Sequence, residues 1–168
     1  ARSSQRYRVN VDAVLLAAFA GGVLGDDGRR RPRRARAALD LGSGVGAVGL
    51  SLLHFDAASR VTMIEIDDDL ASLARANAQR HGTLDGSFFV RGSLTDPFRD
   101  ESFDVLVSNP PYIPEAEFEN LAPDVRDYEP RSSLVGGEDG LYFIKQIISG
   151  AKRVLRPGGW CLLEIGVG

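Results

Sequence analysis

Residues Ala37-Ala38-Leu39-Asp40-Leu41-Gly42-Ser43-Gly44-Val45-Gly46-Ala47-Val48-Gly49 decide the fold. A short apolar run carrying one acid breaks into glycines, and a second apolar run follows at helical spacing. Glycine lacks a Cβ, so the backbone there can turn tightly and approach a ligand closely. The stretch reads as a strand over Ala37–Leu41, a glycine-rich turn, and a helix over Ala47–Leu53.

The same alternation continues outward. Arg60–Ile66 reads as a second strand, and Asp69–His81 as a helix with Leu70, Leu73, Ala74 and Ala78 at helical spacing, closed by Gly82. Ser87–Arg91 and Phe103–Ser108 read as the third and fourth strands. Residues 109–137 are rich in proline and read as loop. Gly140–Leu155 reads as a helix whose stripe of Leu141, Ile144, Ile147 and Ile148 is expected to be buried. Pro157-Gly158-Gly159 reads as a turn before a fifth strand, Trp160–Ile165. Upstream, Asp12 is expected to cap a helix over Ala13–Ala20 that Gly21 and Gly22 end. Strands separated by helices imply a mostly parallel sheet with right-handed crossovers. The expected fold class is therefore α/β: a doubly wound, three-layer α/β/α sheet that binds ligands beyond the carboxyl ends of its strands, near the switch point.

Composition narrows the functional classes. The chain has 168 residues, is 43% hydrophobic and 26% charged, and suits one globular domain. Residues 1–36 read as a helix plus an Arg-rich loop, and 37–168 as the catalytic domain. One cysteine, Cys161, excludes an intrachain disulfide and reads as a structural thiol in a strand. The histidines and Cys161 have no metal-ligand spacing, so no metal is expected. The net charge of −3 gives no global attraction for nucleic acid. Arg29, Arg30, Arg31, Arg33, Arg34 and Arg36 form a local exception, either a solvated loop or a phosphate-contacting patch for RNA. No stretch reads as a signal peptide or a membrane span, and a cytoplasmic location is expected. Both ends read as cut, so a longer protein is expected.

Three motifs carry the chemistry. The glycine loop also satisfies a dinucleotide spacing at Gly44, Gly46 and Gly49, which leaves an NAD-dependent oxidoreductase open. Glu65 ends the second strand, where an acid can accept from both hydroxyls of a ribose, whether of NAD or of S-adenosylmethionine. Asn109-Pro110-Pro111-Tyr112 follows the fourth strand, a neighbour of the first across the switch point. The Asn109 side-chain carbonyl and the Pro110 backbone carbonyl supply two acceptors for one amino group. An amide or aromatic amine nitrogen has a delocalised lone pair. Two fixed acceptors on its hydrogens favour the attacking shape and its growing positive charge. Tyr112 is placed to stack on a planar substrate group.

Asp40-Leu41-Gly42-Ser43-Gly44 followed by Asn109-Pro110-Pro111-Tyr112 resembles the class I, Rossmann-like methyltransferases that modify amino groups. Tyr128-Glu129-Pro130-Arg131, Leu134-Val135-Gly136-Gly137-Glu138-Asp139-Gly140-Leu141 and Arg156-Pro157-Gly158-Gly159-Trp160 narrow the resemblance to the HemK/PrmC family. That family methylates the glutamine amide in the Gly-Gly-Gln motif of peptide-chain release factors. The resemblance implies S-adenosylmethionine against Asp40, Gly42, Ser43, Gly44 and Gly46, with Glu65 on the ribose and Ile66 against adenine. Asn109 would border the cofactor and, with Pro110 and Tyr112, hold the substrate amide. Ser93 stands where the family usually has an Asp near the adenine amino group.

Other departures are the lack of the family's helical amino-terminal domain, of its Pro-Arg-Pro-x-Thr-Glu segment, and of its terminal strand pair. Residues Arg6–Phe19 instead resemble the start of the tRNA adenine amino-methyltransferases. The expected function is methylation of a release-factor glutamine. Methylation of adenine in tRNA or rRNA, the oxidoreductase reading, and a non-catalytic binding fragment are the alternatives.

Overall fold

The computed structural model describes residues 16–19 and 34–165. Residues 16–19 are helical, within the helix expected over Ala13–Ala20. The Asp12 cap, the Gly21–Gly22 stop, and Arg29, Arg30, Arg31 and Arg33 lie outside the described residues.

Five strands form one sheet, all parallel: β1 (Ala38–Leu41), β2 (Val61–Glu65), β3 (Ser87–Arg91), β4 (Phe103–Ser108) and β5 (Leu155–Leu163). Their order is β3-β2-β1-β4-β5. The chain runs outward from β1 to β3 and then returns to place β4 on the other side of β1, so the switch point lies between β1 and β4. The helices are α1 (Ala47–His54), α2 (Asp68–Arg80), the single turns α3 (Pro123–Arg126) and α4 (Arg131–Leu134), and α5 (Tyr142–Val154).

Side chains alternate between the two sheet faces and build two cores. One core joins Ala38, Val61, Met63, Val105 and Val107 to Val48 and Leu52 of α1, and to Ala17. The other joins Leu39, Leu41, Ile64 and Leu106 to Ile147, Ala151 and Val154 of α5. This is the expected three-layer arrangement. Asp67 caps α2 by accepting from Asp69 and Leu70 N–H at 2.9 and 3.0 Å, which starts that helix at Asp68.

Four expectations need correction. The buried stripe of α5 is Ile147, Ala151 and Val154, at i, i+4 and i+7; Ile148 is 47% exposed and Leu141, outside the helix, 43%. Gly140 does not open the helix, because its φ of +71° is left-handed. Residues 109–137 are not all loop: they hold a 3-10 segment at Glu115–Asn120 as well as α3 and α4. Finally, β5 begins at Leu155, before the Pro-Gly-Gly turn. Phe103 pairs with Leu155 and Val105 with Trp160, so residues between them bulge from the ladder. Pro157 removes a ladder donor and Gly158, at φ +80°, supplies the reversal.

Asp104 clips the sheet together at its lower edge. It accepts the N–H of Arg36 and Ala37 at 2.8 and 2.9 Å, and the Arg156 guanidinium at 2.7 Å. Desolvation pushes its carboxyl up, but these donors outweigh it and hold the pKa below the usual carboxylate value.

Candidate functional site

The glycine loop and the Asn-Pro-Pro-Tyr loop leave the sheet side by side. Leu41 of β1 is in register with Ser108 of β4, and the buried Ser108 hydroxyl donates to the Leu41 carbonyl at 2.8 Å. Adjacent strands lie about 4.8 Å apart. The next residues, Gly42 and Asn109, therefore open opposite walls of one crevice. Glu65 ends β2 on the far side of β1, and Ser93 follows β3. All the candidate residues thus sit at the carboxyl edge of the sheet.

Each member is held differently. Gly42, Gly44 and Gly46 have φ of +65°, +54° and +85°, which only glycine adopts without strain. A Cβ on Gly42 or Gly44 would meet no atom within 4 Å, so open space lies over both. The Ser43 side chain is buried, and its hydroxyl has no partner among the described residues. Buried hydroxyls are normally hydrogen-bonded. An orphan hydroxyl in a glycine cradle with open space above it fits a polar ligand seated on this loop.

Asp40 does not face the crevice. Its carboxylate lies under α1 and accepts the Gly49 N–H at 2.8 Å. Burial pushes its pKa to about 7; the Gly49 hydrogen bond opposes the shift and the nearby Glu65 charge adds to it. Gly49 is required by this contact, because a Cβ there would lie 2.9 Å from Asp40 Oδ2 and 2.8 Å from Met63 Cγ. The dinucleotide-like glycine spacing is therefore explained by helix–strand packing.

Glu65 is buried and largely committed. Oε2 accepts the Gly44 N–H at 2.8 Å, and Oε1 accepts from Ile66 and Asp67 N–H at 2.8 and 3.0 Å. A carboxylate has about four acceptor sites. Three N–H donors thus leave Glu65 one acceptor position for a ribose hydroxyl, and a second where Gly44 yields its bond. Ile66 beside it is 65% exposed, and Ser93 is exposed. Asn109 is half-buried, and its side chain makes no hydrogen bond to another described residue. Pro110 is buried and Tyr112 half-buried.

Several supporting residues were not foreseen. Asn77 of α2 donates from Nδ2 to the Val45 carbonyl at 3.0 Å, and Ala74 would lie 3.2 Å from a Cβ on Gly46. Together they press α2 against the glycine loop. An Asn in mid-helix, where it is a poor helix former, was the available signal. Ser108 carried none. Of the Arg run, Arg34 is paired with Asp56 at 2.7 Å. Two open grooves, about 410 Å³ beside Cys161 and about 520 Å³ beside Tyr142, contain none of the crevice residues. Burial raises the pKa of the Cys161 thiol. Among the described residues no His, Cys, Asp and Glu group has metal-site geometry. No described helix is long and apolar enough to cross a membrane.

Comparison with known proteins gives these arrangements a family. Residues 29–123 match the methyltransferase small domain. A release factor glutamine methyltransferase from Geobacter sulfurreducens is 42% identical over 156 residues, covering 93% of this chain and 54% of that protein. One from Clostridium acetobutylicum is 43% identical over 129 residues, covering 76% and 45%. The chain thus spans about half the length of the curated relatives it matches. The crystal structure of precorrin 8W decarboxylase from Methanobacterium thermoautotrophicum superposes with a TM-score of 0.59 at 19% identity, covering 95% of this chain and 65% of that one, a likeness of fold alone.

Proposed function

The chain belongs to the methyltransferase small domain family, and on that premise we propose that it binds S-adenosylmethionine and methylates the glutamine side-chain amide of a peptide-chain release factor. The observation that carries the reading is the pairing of Leu41 with Ser108, which sets the glycine cradle beside Asn109 and Pro110. The relatives named release factor glutamine methyltransferase support the substrate.

In this reading Gly42, Ser43 and Gly44 seat the cofactor, Glu65 accepts one ribose hydroxyl, and Ile66 covers adenine, with Ser93 nearby. Asp40 acts through the loop, by fixing α1 beneath it. When bound, S-adenosylmethionine would supply the methyl group: its sulfur would keep the electron pair of the broken S–C bond, and the substrate nitrogen would form the C–N bond and lose one proton to solvent. The Asn109 side-chain carbonyl and the Pro110 carbonyl accept hydrogen bonds from the two amide N–H groups and so orient the nitrogen. Tyr112 packs on the planar amide.

Charge favours a protein over RNA. Beyond the clamp, Glu115, Glu117, Glu119, Asp124, Asp127 and Glu129 are all exposed. The basic residues of this stretch, Arg126 and Arg131, pair with Asp127 and Glu115. A polyanion approaching such a surface is repelled.

The test is transfer of labelled methyl from S-adenosylmethionine to a release factor and, in parallel, to bulk tRNA. Label on the release-factor glutamine is the expected outcome. Label confined to tRNA adenine overturns the substrate assignment.

A further inference from the structure

We infer that the turn Val135–Gly140 positions the Asn109–Tyr112 loop for the transfer step, with Gly136 and Gly140 as its positioning residues; this rests on the function proposed above. Pro110 and Pro111 have no N–H, so the loop cannot be anchored through its own amide donors at those residues. It is held from outside instead. Ile113 and Val135 form a parallel bridge. Ile113 N–H donates to the Leu134 carbonyl at 2.9 Å, Gly136 N–H to the Ile113 carbonyl at 2.9 Å, and Glu115 N–H to the Gly137 carbonyl at 3.0 Å.

The glycines allow an approach that no other residue permits. A Cβ on Gly136 would lie 2.5 Å from the Pro111 carbonyl oxygen and 2.5 Å from that of Gly140. A Cβ on Gly140 would overlap the Tyr112 carbonyl oxygen, and Gly140 also has a φ of +71°. The contact therefore falls on the carbonyls of the two residues that follow the proposed acceptors. Tyr142 N–H in turn donates to the Gly136 carbonyl at 2.9 Å, which ties the turn to the start of α5. Helix α5 is seated on the sheet through Ile147, Ala151 and Val154. The direction of the acceptors is thus referred, through this turn, to the rigid sheet that also carries the glycine cradle.

The experiment compares Gly136→Ala and Gly140→Ala with Gly82→Ala in the full chain. Gly82 has a φ of +69° but nothing within 4 Å of a Cβ, so it reports left-handed strain without the contact. Three quantities are read: kcat on a release factor, Kd for S-adenosylmethionine, and hydrogen exchange at the Ile113 and Glu115 amides. A displacement of about 1 Å in a reacting group costs about 100-fold in rate. Both test variants should lose about 100-fold in kcat, keep Kd within about threefold, and exchange faster at Ile113 and Glu115. Gly82→Ala should keep kcat within about threefold. Equal kcat in all three variants overturns the inference.

Should the glycine variants not fold, Glu115→Pro removes the N–H that reaches Gly137 together with the carboxylate that pairs with Arg131, and Glu115→Ala, which loses the carboxylate and keeps the N–H, is its reference. Pro114 has a ψ of 141°, which suits a following proline. Relative to Glu115→Ala, losing that backbone bond should cost about tenfold in kcat; equal kcat in the two variants overturns the inference. If the parent protein itself transfers no methyl group, the proposed function has failed on its own. Exchange then still decides: faster exchange in Gly136→Ala supports the coupling, and unchanged exchange overturns it.

Discussion

Glu65 Oε2 accepts the backbone N–H of Gly44 at 2.8 Å, joining the end of β2 to the middle of the glycine loop. The acid expected to receive a ribose is already the anchor of the loop expected to receive the rest of the cofactor. Binding a ribose hydroxyl therefore adds to this network or displaces part of it.

Glu65→Gln tests that dual role. A glutamine offers one carbonyl oxygen and turns an N–H₂ toward donors that need an acceptor. Hydrogen bonds to a charged group are worth about 1.5–3 kcal/mol. Calorimetry should show Kd for S-adenosylmethionine raised by about 10- to 100-fold, and the Gly44 amide resonance should shift in the unliganded protein. An unchanged Kd would mean that the acid does not meet the cofactor.

Ser43→Ala removes a buried hydroxyl that has no partner among the described residues. Its loss should leave the thermal midpoint of the free protein unchanged or slightly raised. The same variant should bind S-adenosylmethionine up to about tenfold more weakly, the worth of one neutral hydrogen bond. A clear drop in the midpoint of the free protein with normal cofactor affinity would make the hydroxyl structural.

Asn109→Ala should abolish most turnover while leaving cofactor affinity within about threefold. Loss of one preorganised polar contact to the reacting group costs about 100-fold or more in kcat. Steady-state kinetics on a release factor, with calorimetry for the cofactor, separates the two effects. Wild-type turnover in this variant would remove the clamp.

Asp40 gives stability a pH dependence on the neutral side. Its folded pKa of about 7 stands above the ordinary carboxylate value of 3.8. The folded state therefore holds a proton that the unfolded state releases, and stability falls as pH rises from about 4 to about 7. At 1.36 kcal/mol per unit the loss is up to about 4 kcal/mol. Asp40→Asn keeps an acceptor for Gly49 N–H and has no proton to lose. It should be more stable than the parent at pH 8 in urea titrations, with a flatter profile between pH 4 and 7. Parallel profiles for the two proteins would show that the carboxyl is not the source.

Asp104 works in the opposite direction, because its folded pKa is lowered. Its contribution is present above the unfolded value and is lost as pH falls through the folded one. Asp104→Ala at pH 7 should cost about 1–3 kcal/mol, since it strands the Ala37 N–H and frees Arg156. Asp100→Ala, which removes an exposed partner of Arg153, should cost less than about 0.5 kcal/mol. Equal effects in the two variants would show that the clip at the sheet edge adds nothing.

Much of the architecture was legible because it is local. Ser87–Arg91 and Phe103–Ser108 are strands over the expected residues, and α1 and α2 differ from expectation by about a residue at their ends. Alternating apolar residues and glycine punctuation act through neighbours in sequence, so a reader of the chain sees them. The adjacency of β1 and β4 was expected from the switch point of a doubly wound sheet, and it set the glycine loop beside the Asn-Pro-Pro-Tyr loop from the chain alone.

What the sequence determined by itself, then, is the kind and order of the elements and the residues at the sheet's carboxyl edge. Tertiary structure alone decided how those residues are used. Ile147 is buried and Ile148 exposed because α5 meets the sheet at one angle. Asp40 supports α1, Glu65 retains one acceptor position, and Gly136 and Gly140 back the Asn-Pro-Pro-Tyr loop. The deciding partners include atoms from other segments: Gly49 for Asp40, Gly44 for Glu65, and the Pro111 and Tyr112 carbonyls for Gly136 and Gly140. Local patterning encodes backbone geometry, but the allocation of a lone pair or the space for a Cβ is settled only when distant segments meet.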